Sequence, residues 1–306
     1  MTESLRKSFG GVPRDTLGTL LGLFGVAGFS LTLPATRMAV EHLDPTLVGL
    51  GRSLVAGALA AILLLVARQP MPSPSQIKSL GVTAAGVIAG FPLLSSWSMQ
   101  QLPAAHAAIV IAVLPLLTAI AGAIRMKERP SLGFWLASLA GSALVLAFVI
   151  ISGGKLQMAD GVLVLASLAA AAGYAEGGRL AKSMGGWQVI CWALVLAAPF
   201  LTVPVSITVL RHGIDAPPES WLGFAYVSLV SQLFAFILWY QAMALCGVVR
   251  TSQIQLLQPF MTLGAAAALL GERITPAMVV FSTAIVGVIV IGRKMPIAKA
   301  GTIGLK

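Results

Sequence analysis

The chain has 306 residues, of which 58% are hydrophobic and 10% are charged, and its mean hydropathy is +0.93. Soluble domains carry roughly 25% charged residues, so this composition excludes a soluble globular protein and indicates an integral membrane protein. The net charge of +10 is spread over short segments between apolar runs, unlike the clustered basic patch of a nucleic-acid-binding protein. We therefore expect membrane lipids with anionic headgroups as a partner, and no nucleic acid.

Ten apolar segments follow one another along the chain, each near the ~20 residues that a helix needs to cross the bilayer. They are too long for barrel strands, so we predict an all-α integral membrane bundle of ten transmembrane helices. The first run exceeds the ~7–15 apolar residues of a cleavable signal peptide and is interpreted as a first span. The predicted spans are 16–40, 45–67, 76–99, 104–124, 131–151, 160–181, 187–210, 219–244, 249–270 and 276–292.

Basic residues are distributed unevenly between the two sides of this predicted bundle. Of the 20 Lys and Arg residues, all but five fall on the side that carries the tails, 1–15 and 293–306. The exceptions are Arg37, Lys155, Arg211 and Arg273 on the opposite side and Arg52 inside the second span. Because Lys and Arg favour cytoplasmic loops, both tails are predicted to be cytoplasmic.

One pattern occurs twice: a proline inside an apolar span, followed by Glu-Arg thirteen residues later. The copies lie on the fourth and ninth spans, and because these are five spans apart, an odd number, they must cross the membrane in opposite directions. This predicts two inverted five-helix repeats, at 16–151 and 160–292, a construction common in secondary transporters. The pairs separated by 144 positions are Pro115 and Pro259, Glu128 and Glu272, and Arg129 and Arg273.

These residues, with Gly271 before Glu272, resemble the drug/metabolite transporter superfamily in its ten-helix EamA-type form. The first copy departs from the pattern, since Lys127 stands where the second copy has Gly271. The resemblance covers essentially the whole chain, and its closest likeness is to bacterial aromatic amino acid exporters. It implies a central cavity lined by helices 1, 3, 4, 6, 8 and 9, peripheral helices 5 and 10, efflux as the usual direction, and a bacterial cell inner membrane.

Polar side chains inside spans should face a cavity or one another. Thr251, Gln255, Gln258 and Thr262 share one face of the ninth span, whereas the matching face of the fourth span is mostly apolar. Interhelical hydrogen bonding without a ligand is the alternative for each glutamine, and bundle packing is the alternative for each aromatic residue. The complete set of predicted cavity residues is Ser30, Arg37, Ser95, Trp97, Tyr174, Gln232, Trp239, Gln255, Gln258 and Thr262.

Four prolines are predicted to break spans and expose backbone carbonyl groups, which a substrate ammonium group could use: Pro34, Pro92, Pro115 and Pro259. Glu128 and Glu272 are interpreted as acids that stabilise the N-terminus of the following helix, with proton coupling as the alternative. Arg52 is expected to extend outward from its span.

Glu176 and Arg179 are expected to neutralise each other. None of the acids considered lies at mid-membrane, which favours facilitated uniport over proton antiport.

The sequence therefore predicts a secondary transporter that exports aromatic and other apolar amino acids by alternating access. The alternative is export of another small metabolite or a cationic drug, with proton coupling. An enzyme would need a nucleophile with a base or a metal cluster, and no such set, nor a His–carboxylate pair within a span, is evident; a receptor gives no reason for an inverted duplication. We expect no metal, no cofactor and a functional monomer.

Overall fold

The computed structural model of the protein describes residues 13–125, 128–153, 157–248, 251, 254–294 and 297–299. Most of both predicted tails therefore lies outside the described residues. The helices are α1 (Arg14–Val40), α2 (Leu47–Val66), α3 (Pro74–Met99), α4 (Ala104–Arg125), α5 (Leu132–Gly153), α6 (Met158–Met184), α7 (Gly186–His212), α8 (Pro218–Cys246), α9 (Gln255–Leu270) and α10 (Pro276–Lys294), and the strands are β1 (Glu128–Pro130) and β2 (Ile297–Lys299).

The described residues are helical apart from the two short strands and the connections, which confirms the predicted all-α class. Within the described part of the chain, seven helices, α1 to α4 and α6 to α8, are long and apolar enough to cross a membrane. Each predicted span has a helix at its place, but α9 and the apolar part of α10 are shorter, so the count of ten crossings stays a prediction. The helices α5 and α10 pack mainly against each other at the edge of the bundle.

Two contacts show that α4 and α9 run in opposite directions. β1, which follows α4, pairs antiparallel with β2, which follows α10, so the C-terminal ends of α4 and α10 lie on one side. Glu272, which follows α9, binds the first backbone N–H groups of α4, so the C-terminal end of α9 lies on the other side. We call the side where α1 begins and α10 ends the terminal face, and the other side the far face.

The inverted repeat is visible in the helix irregularities as well as in direction. Segments of π-helix occur in α3 at Ala84–Gly90 and in α8 at Val227–Phe234, which are nearly equivalent positions at the repeat offset. The helix α4 is interrupted at Ala112 and Val113, and α9 begins with the 3-10 turn Gln255–Leu257. The irregularities of α4 and α9 each lie within one turn before a proline, Pro115 or Pro259, because a proline cannot donate to the carbonyl four residues earlier and its ring crowds that carbonyl.

Pro92 explains an unusual set of side-chain contacts in the centre of the bundle. Its ring leaves the Ile88 carbonyl without the usual helical donor, and the Ser53 hydroxyl donates to that oxygen at 2.9 Å. The neighbouring Val87 carbonyl, inside the π-helical segment, accepts from the Gln232 amide at 3.0 Å. The irregular backbone of α3 is therefore satisfied by side chains of α2 and α8, which ties the two repeats together at this level.

Close packing between α3 and α6 depends on Gly86. A Cβ atom at this position would overlap the Ala169 carbonyl oxygen and lie 2.9 Å from the Gly173 nitrogen. We expect Gly86→Ala to lower stability by roughly 1–3 kcal/mol, because overpacking forces the backbone to shift. Gly81→Ala on the same helix is the control, since nothing lies within 4 Å of that position. Thermal unfolding of the purified variants measures both; equal stability would contradict this account of the α3–α6 contact.

Candidate functional site

A small pocket lies where α4 and α9 cross, next to the prolines that interrupt both helices. Its volume is about 10 Å³, room for roughly one water molecule, so this conformation of the protein has no space for a larger molecule there. α4 and α1 supply an apolar wall that includes Ala108, Ile111, Pro115 and Leu33. The lining residues from α9 are Gln255, Gln258, Pro259 and Thr262.

The α9 wall of the pocket is polar and incompletely satisfied. The Gln255 side-chain amide donates to Oε1 of Gln258 at 3.2 Å. Gln255 is buried, and its own Oε1 atom accepts no hydrogen bond from any described residue. A buried amide oxygen without a donor is costly to maintain, and an ammonium or hydroxyl group of a bound molecule would satisfy it.

An aromatic cluster adjoins this wall. Tyr174 lies beside Gln255, and its ring centroid is 6.0 Å from that of Trp239 and 5.9 Å from that of Phe236. Phe29 completes the cluster, 4.8 Å from Phe236 and 6.0 Å from Trp239. The indole nitrogen of Trp239 is buried and has no partner among the described residues. The cluster combines an apolar surface from α1, α6 and α8 with one unused hydrogen-bond donor.

The other predicted cavity residues do not line the pocket in this conformation. Ser30 and Ser95 donate to carbonyl groups of their own helices, and the Gln232 amide donates to a backbone carbonyl of α3. Arg37 donates to the Met99 carbonyl at the far-face end of α3. Trp97 is partly buried and packs against the apolar core. Their recognition of a substrate stays a prediction, because their polar groups are engaged in the bundle or lie away from the α4–α9 crossing.

At the far face, Glu272 joins the two repeats. Gly271 ends α9 in the left-handed conformation, φ 64°, which glycine adopts without strain. The Glu272 carboxylate then accepts from the backbone N–H groups of Ala104 and Ala105 at 2.8 and 2.7 Å. The sequence predicted that this acid serves the helix that follows it; in the structure it caps α4 of the other repeat. The Glu128 side chain lies outside the described residues.

A second far-face contact was missed from the sequence. His106 of α4 and Asp160 of α6 are both buried, and Nε2 of the histidine lies 2.8 Å from the carboxylate. The other Asp160 oxygen accepts from the Gln157 backbone N–H at 3.0 Å. The expectation of no His–carboxylate pair considered each span singly, and this pair is formed between two spans that are adjacent only in the fold. It again links the first repeat to the second.

At the terminal face, Glu176 of α6 lies between two arginines. Arg179 on the same helix binds it at 2.6 Å, as expected, and Arg125 of α4 also binds it. Arg179 reaches Ser79 of α3 at 2.8 Å. Ser79, Arg125 and Glu176 border a cleft of about 460 Å³ between α3, α4 and α6, which Lys78 also lines. Glu176 is thus neutralised and unavailable as a free carboxylate in this conformation.

Arg52 does not extend outward, so that expectation was wrong. The side chain is 1% exposed, and its Nε and Nη1 atoms have no hydrogen-bond partner among the described residues. The preceding π-helical segment of α2, Leu47–Gly51, is entirely buried. The helix therefore turns the arginine toward the bundle instead of the membrane surface.

Comparison with known proteins agrees with this architecture. The chain matches the EamA-like transporter family over residues 16–153 and 157–293. It is 41% identical to "Uncharacterized transporter YdeK" of Bacillus subtilis (strain 168) over 290 residues, which cover 92% of this chain and 98% of that protein. It is 25% identical to a "Probable terminal-alkyne amino-acid exporter" of Streptantibioticus cattleyicolor over 280 residues, 88% of this chain and 91% of that protein.

A solved crystal structure superposes on the chain with a TM-score of 0.64, covering 90% of this chain and 95% of that one at 17% identity, which shows a shared fold. The family match extends over both halves, and each half contributes one of the two broken helices that form the central pocket. This chain belongs to the EamA-like transporter family and is a multi-pass membrane transporter of the drug/metabolite transporter type.

Proposed function

We propose that this transporter exports amino acids with aromatic or other apolar side chains, by alternating access and without proton coupling. The observation that carries the proposal is the pocket between the repeats, with the amides of Gln255 and Gln258 on one wall and an apolar α4 surface on the other. Amide groups suit the polar end of a zwitterion, and the apolar wall with the adjoining aromatic cluster suits its side chain. A small-molecule substrate of this kind agrees with the name of the Streptantibioticus relative.

The charges around the pocket disfavour a cationic cargo. A cationic drug would need a buried carboxylate that is free to bind it. Glu176 is occupied by Arg125 and Arg179, and Asp160 by His106. Another metabolite remains the alternative cargo, and transport assays with a panel of compounds distinguish the two.

Alternating access follows from the inverted repeats. In this conformation Glu272 and the His106–Asp160 pair hold the repeats together at the far face, and a cleft opens at the terminal face. The pocket between them has room for about one water. Substrate binding therefore requires α4 and α9 to separate, and the two helix interruptions at this level supply the hinge.

We place the terminal face in the cytoplasm of a bacterium, because most of the Lys and Arg residues lie on that side. Arg129 and Arg273 are equivalent in the two repeats and should then face opposite sides. With both native cysteines replaced by alanine, we expect a membrane-impermeant thiol reagent to label Arg273→Cys from outside intact cells and Arg129→Cys only after the cells are opened. Labelling of both residues from the same side would refute the inverted orientation.

Counterflow in liposomes tests the cargo and the coupling together. Purified protein is reconstituted with one labelled amino acid, and a panel of amino acids, other metabolites and cationic drugs is placed on the opposite side, with and without a pH gradient. We expect exchange of aromatic and other apolar amino acids at the same rate under both conditions. Exchange that occurs only with a non-amino-acid compound would contradict the proposed cargo.

Gln258→Ala should reduce amino acid exchange without lowering expression, because it removes one of the two amides that line the pocket. Loss of one hydrogen bond to a charged group corresponds to about a tenfold or larger effect. Gln100→Ala, at an exposed position at the far-face end of α3, is the matched control. Unchanged exchange in Gln258→Ala would place the substrate elsewhere.

Proton-coupled export is a second candidate, favoured by the buried His106–Asp160 pair. An imidazole–carboxylate pair can hold or release a proton, and this pair joins the repeats where they must separate. Under this mechanism His106→Gln would abolish the acceleration of exchange by a pH gradient while leaving exchange without a gradient intact. Under uniport, the gradient has no effect on either protein.

A further inference from the structure

Arg52 is a buried cation that has no counter-ion among the described residues of this membrane protein. It follows directly on the π-helical segment Leu47–Gly51 of α2, and two of its guanidinium nitrogens are buried and unused. A charged group removed from water without partners is costly to keep. Such groups in membrane interiors are rare, and they usually mark a binding site or a transport pathway.

No carboxylate of the described residues neutralises Arg52. The buried acids already have partners: Asp160 binds His106, Glu176 binds two arginines, and Glu272, which is half-buried, binds the α4 backbone. The unused donors are therefore available to an anionic group from outside the described chain.

Tyr174 lies near both Arg52 and the pocket between the repeats. Its side chain is within electrostatic range of Arg52 and lies beside Gln255, whose unpartnered Oε1 belongs to the pocket wall. On its other side, Tyr174 packs near Trp239, which carries an unused indole N–H. An unpartnered cation, an unpartnered acceptor and an aromatic surface thus occur around Tyr174. They match the carboxylate, the ammonium group and the apolar side chain of an amino acid.

The backbone around Arg52 is also irregular. The π-helical segments of α2 and α3 contact each other, and that of α8 contacts the α-helical part of α2 that begins with Arg52. Segments of this kind occur frequently at functional sites because they disturb the regular hydrogen-bond ladder. Two of these segments contact each other and the third packs against the part of α2 that begins with Arg52, which points to a site at this level.

We propose that Arg52 binds the carboxylate of the transported molecule. This inference rests on the proposed function for the pocket, but it names the group that is recognised: the transporter accepts monocarboxylates and zwitterions and rejects the corresponding amines. The carboxylate of the bound molecule would supply the counter-ion that the described residues do not.

Ligand binding and transport by Arg52→Gln, Arg52→Lys and wild-type protein test this proposal. The ligands are phenylalanine, 3-phenylpropionate, acetate and phenethylamine, and binding is measured as thermal stabilisation of the purified protein in nanodiscs. We expect the carboxylates phenylalanine and 3-phenylpropionate to stabilise the wild type, and phenethylamine to have no effect. Arg52→Gln should weaken carboxylate binding by about 10- to 100-fold. Arg52→Lys should be intermediate, because it keeps the charge but loses the two-pronged geometry.

Two controls separate binding from folding. Arg211→Gln removes an exposed arginine at the end of α7 and should bind like the wild type. Ligand-free Arg52→Gln should be at least as stable as the wild type, because it removes an unpaired buried charge. If Arg52 had only a structural role, the substitution would instead lower the unfolding temperature. The proposal is overturned if no carboxylate stabilises the wild type, if phenethylamine binds as tightly as phenylalanine, or if Arg52→Gln keeps wild-type affinity.

Counterflow with the same proteins distinguishes this inference from the proposed function. If the wild type exchanges phenylalanine and Arg52→Gln does so with an unchanged KM, the function stands and the role of Arg52 is refuted. If no amino acid is exchanged but 3-phenylpropionate binds in an Arg52-dependent way, carboxylate recognition stands and amino acid export is refuted.

Discussion

Replacing Glu272 with alanine is expected to open the far face of the transporter. The carboxylate accepts the first two N–H groups of α4, at Ala104 and Ala105. The residue before them, Pro103, provides no side-chain cap of its own. Without Glu272 these donors have no acceptor in the closed far face, whereas water can reach them once the repeats separate. The substitution therefore penalises the closed conformation more than the open one.

The expected effect is large for a single side chain. Hydrogen bonds to a charged group contribute roughly 1.5–3 kcal/mol each, and even half of the sum for two bonds would shift a two-state equilibrium by about tenfold. Glu272→Gln keeps one acceptor oxygen without the negative charge that favours a helix N-terminus. The equilibrium in Glu272→Gln should therefore be shifted from that of the wild type, but by less than in Glu272→Ala.

Thiol accessibility in the pocket measures the shift. Ala112→Cys introduces a reporter at a buried, pocket-lining position, in a protein whose native cysteines are replaced by alanine. We expect an impermeant reagent added at the far face to label it faster in Glu272→Ala than in the parent. Glu219→Gln, an exposed acid at the far-face start of α8, is the control. An unchanged labelling rate in folded Glu272→Ala would show that the contact does not hold the far face closed.

The sequence predicted the features of this fold that depend on local pattern. Pro115 and Pro259 were expected to interrupt α4 and α9, because a proline affects its own helix whatever packs around it. The repeat offset predicted opposite directions for these helices, and Gln255, Gln258 and Thr262 were placed on one face by helical periodicity alone. These inferences require only distances along one chain segment.

Partners contributed by other helices could not be predicted in the same way. Glu272 was assigned to the next helix because the sequence shows neighbours along the chain, whereas its partner is about 170 residues away. His106 and Asp160 form a pair through packing of α4 on α6, and each alone resembles a boundary residue. Arg52 was expected to reach the membrane surface, since its depth along the helix can be counted but the direction of its side chain cannot. In each case tertiary packing decides the direction and the partner of a polar side chain.

Replacing Glu176 with glutamine is expected to have the opposite conformational effect from Glu272→Ala. The carboxylate connects α6 to α4 through Arg125 at the terminal face, and Arg179 extends the connection to Ser79 of α3. Glutamine leaves two guanidinium groups close together without a negative charge between them. Their repulsion, together with the lost hydrogen bonds, should separate α4 from α6 and widen the existing cleft.

The expected loss of stability is smaller than for a fully buried ion pair. Removing one partner of a buried pair costs about 3–5 kcal/mol, but the Arg125 and Arg179 side chains are 51% and 43% exposed. Solvent screens such charges, so we expect roughly 1–2 kcal/mol. Ala112→Cys should then be labelled faster from the terminal face and more slowly from the far face, with Glu219→Gln again as the control.

Combining the two substitutions tests whether both contacts act on one equilibrium. If α4 moves as a single element between two alternative positions, Glu176→Gln should partly reverse the far-face labelling caused by Glu272→Ala, because each change favours the opposite opening. Independent local openings would instead leave both labelling rates raised in the double variant. Reversal would establish that the contacts at both faces control the position of α4. Labelling rates raised from both faces would refute a rigid two-position mechanism.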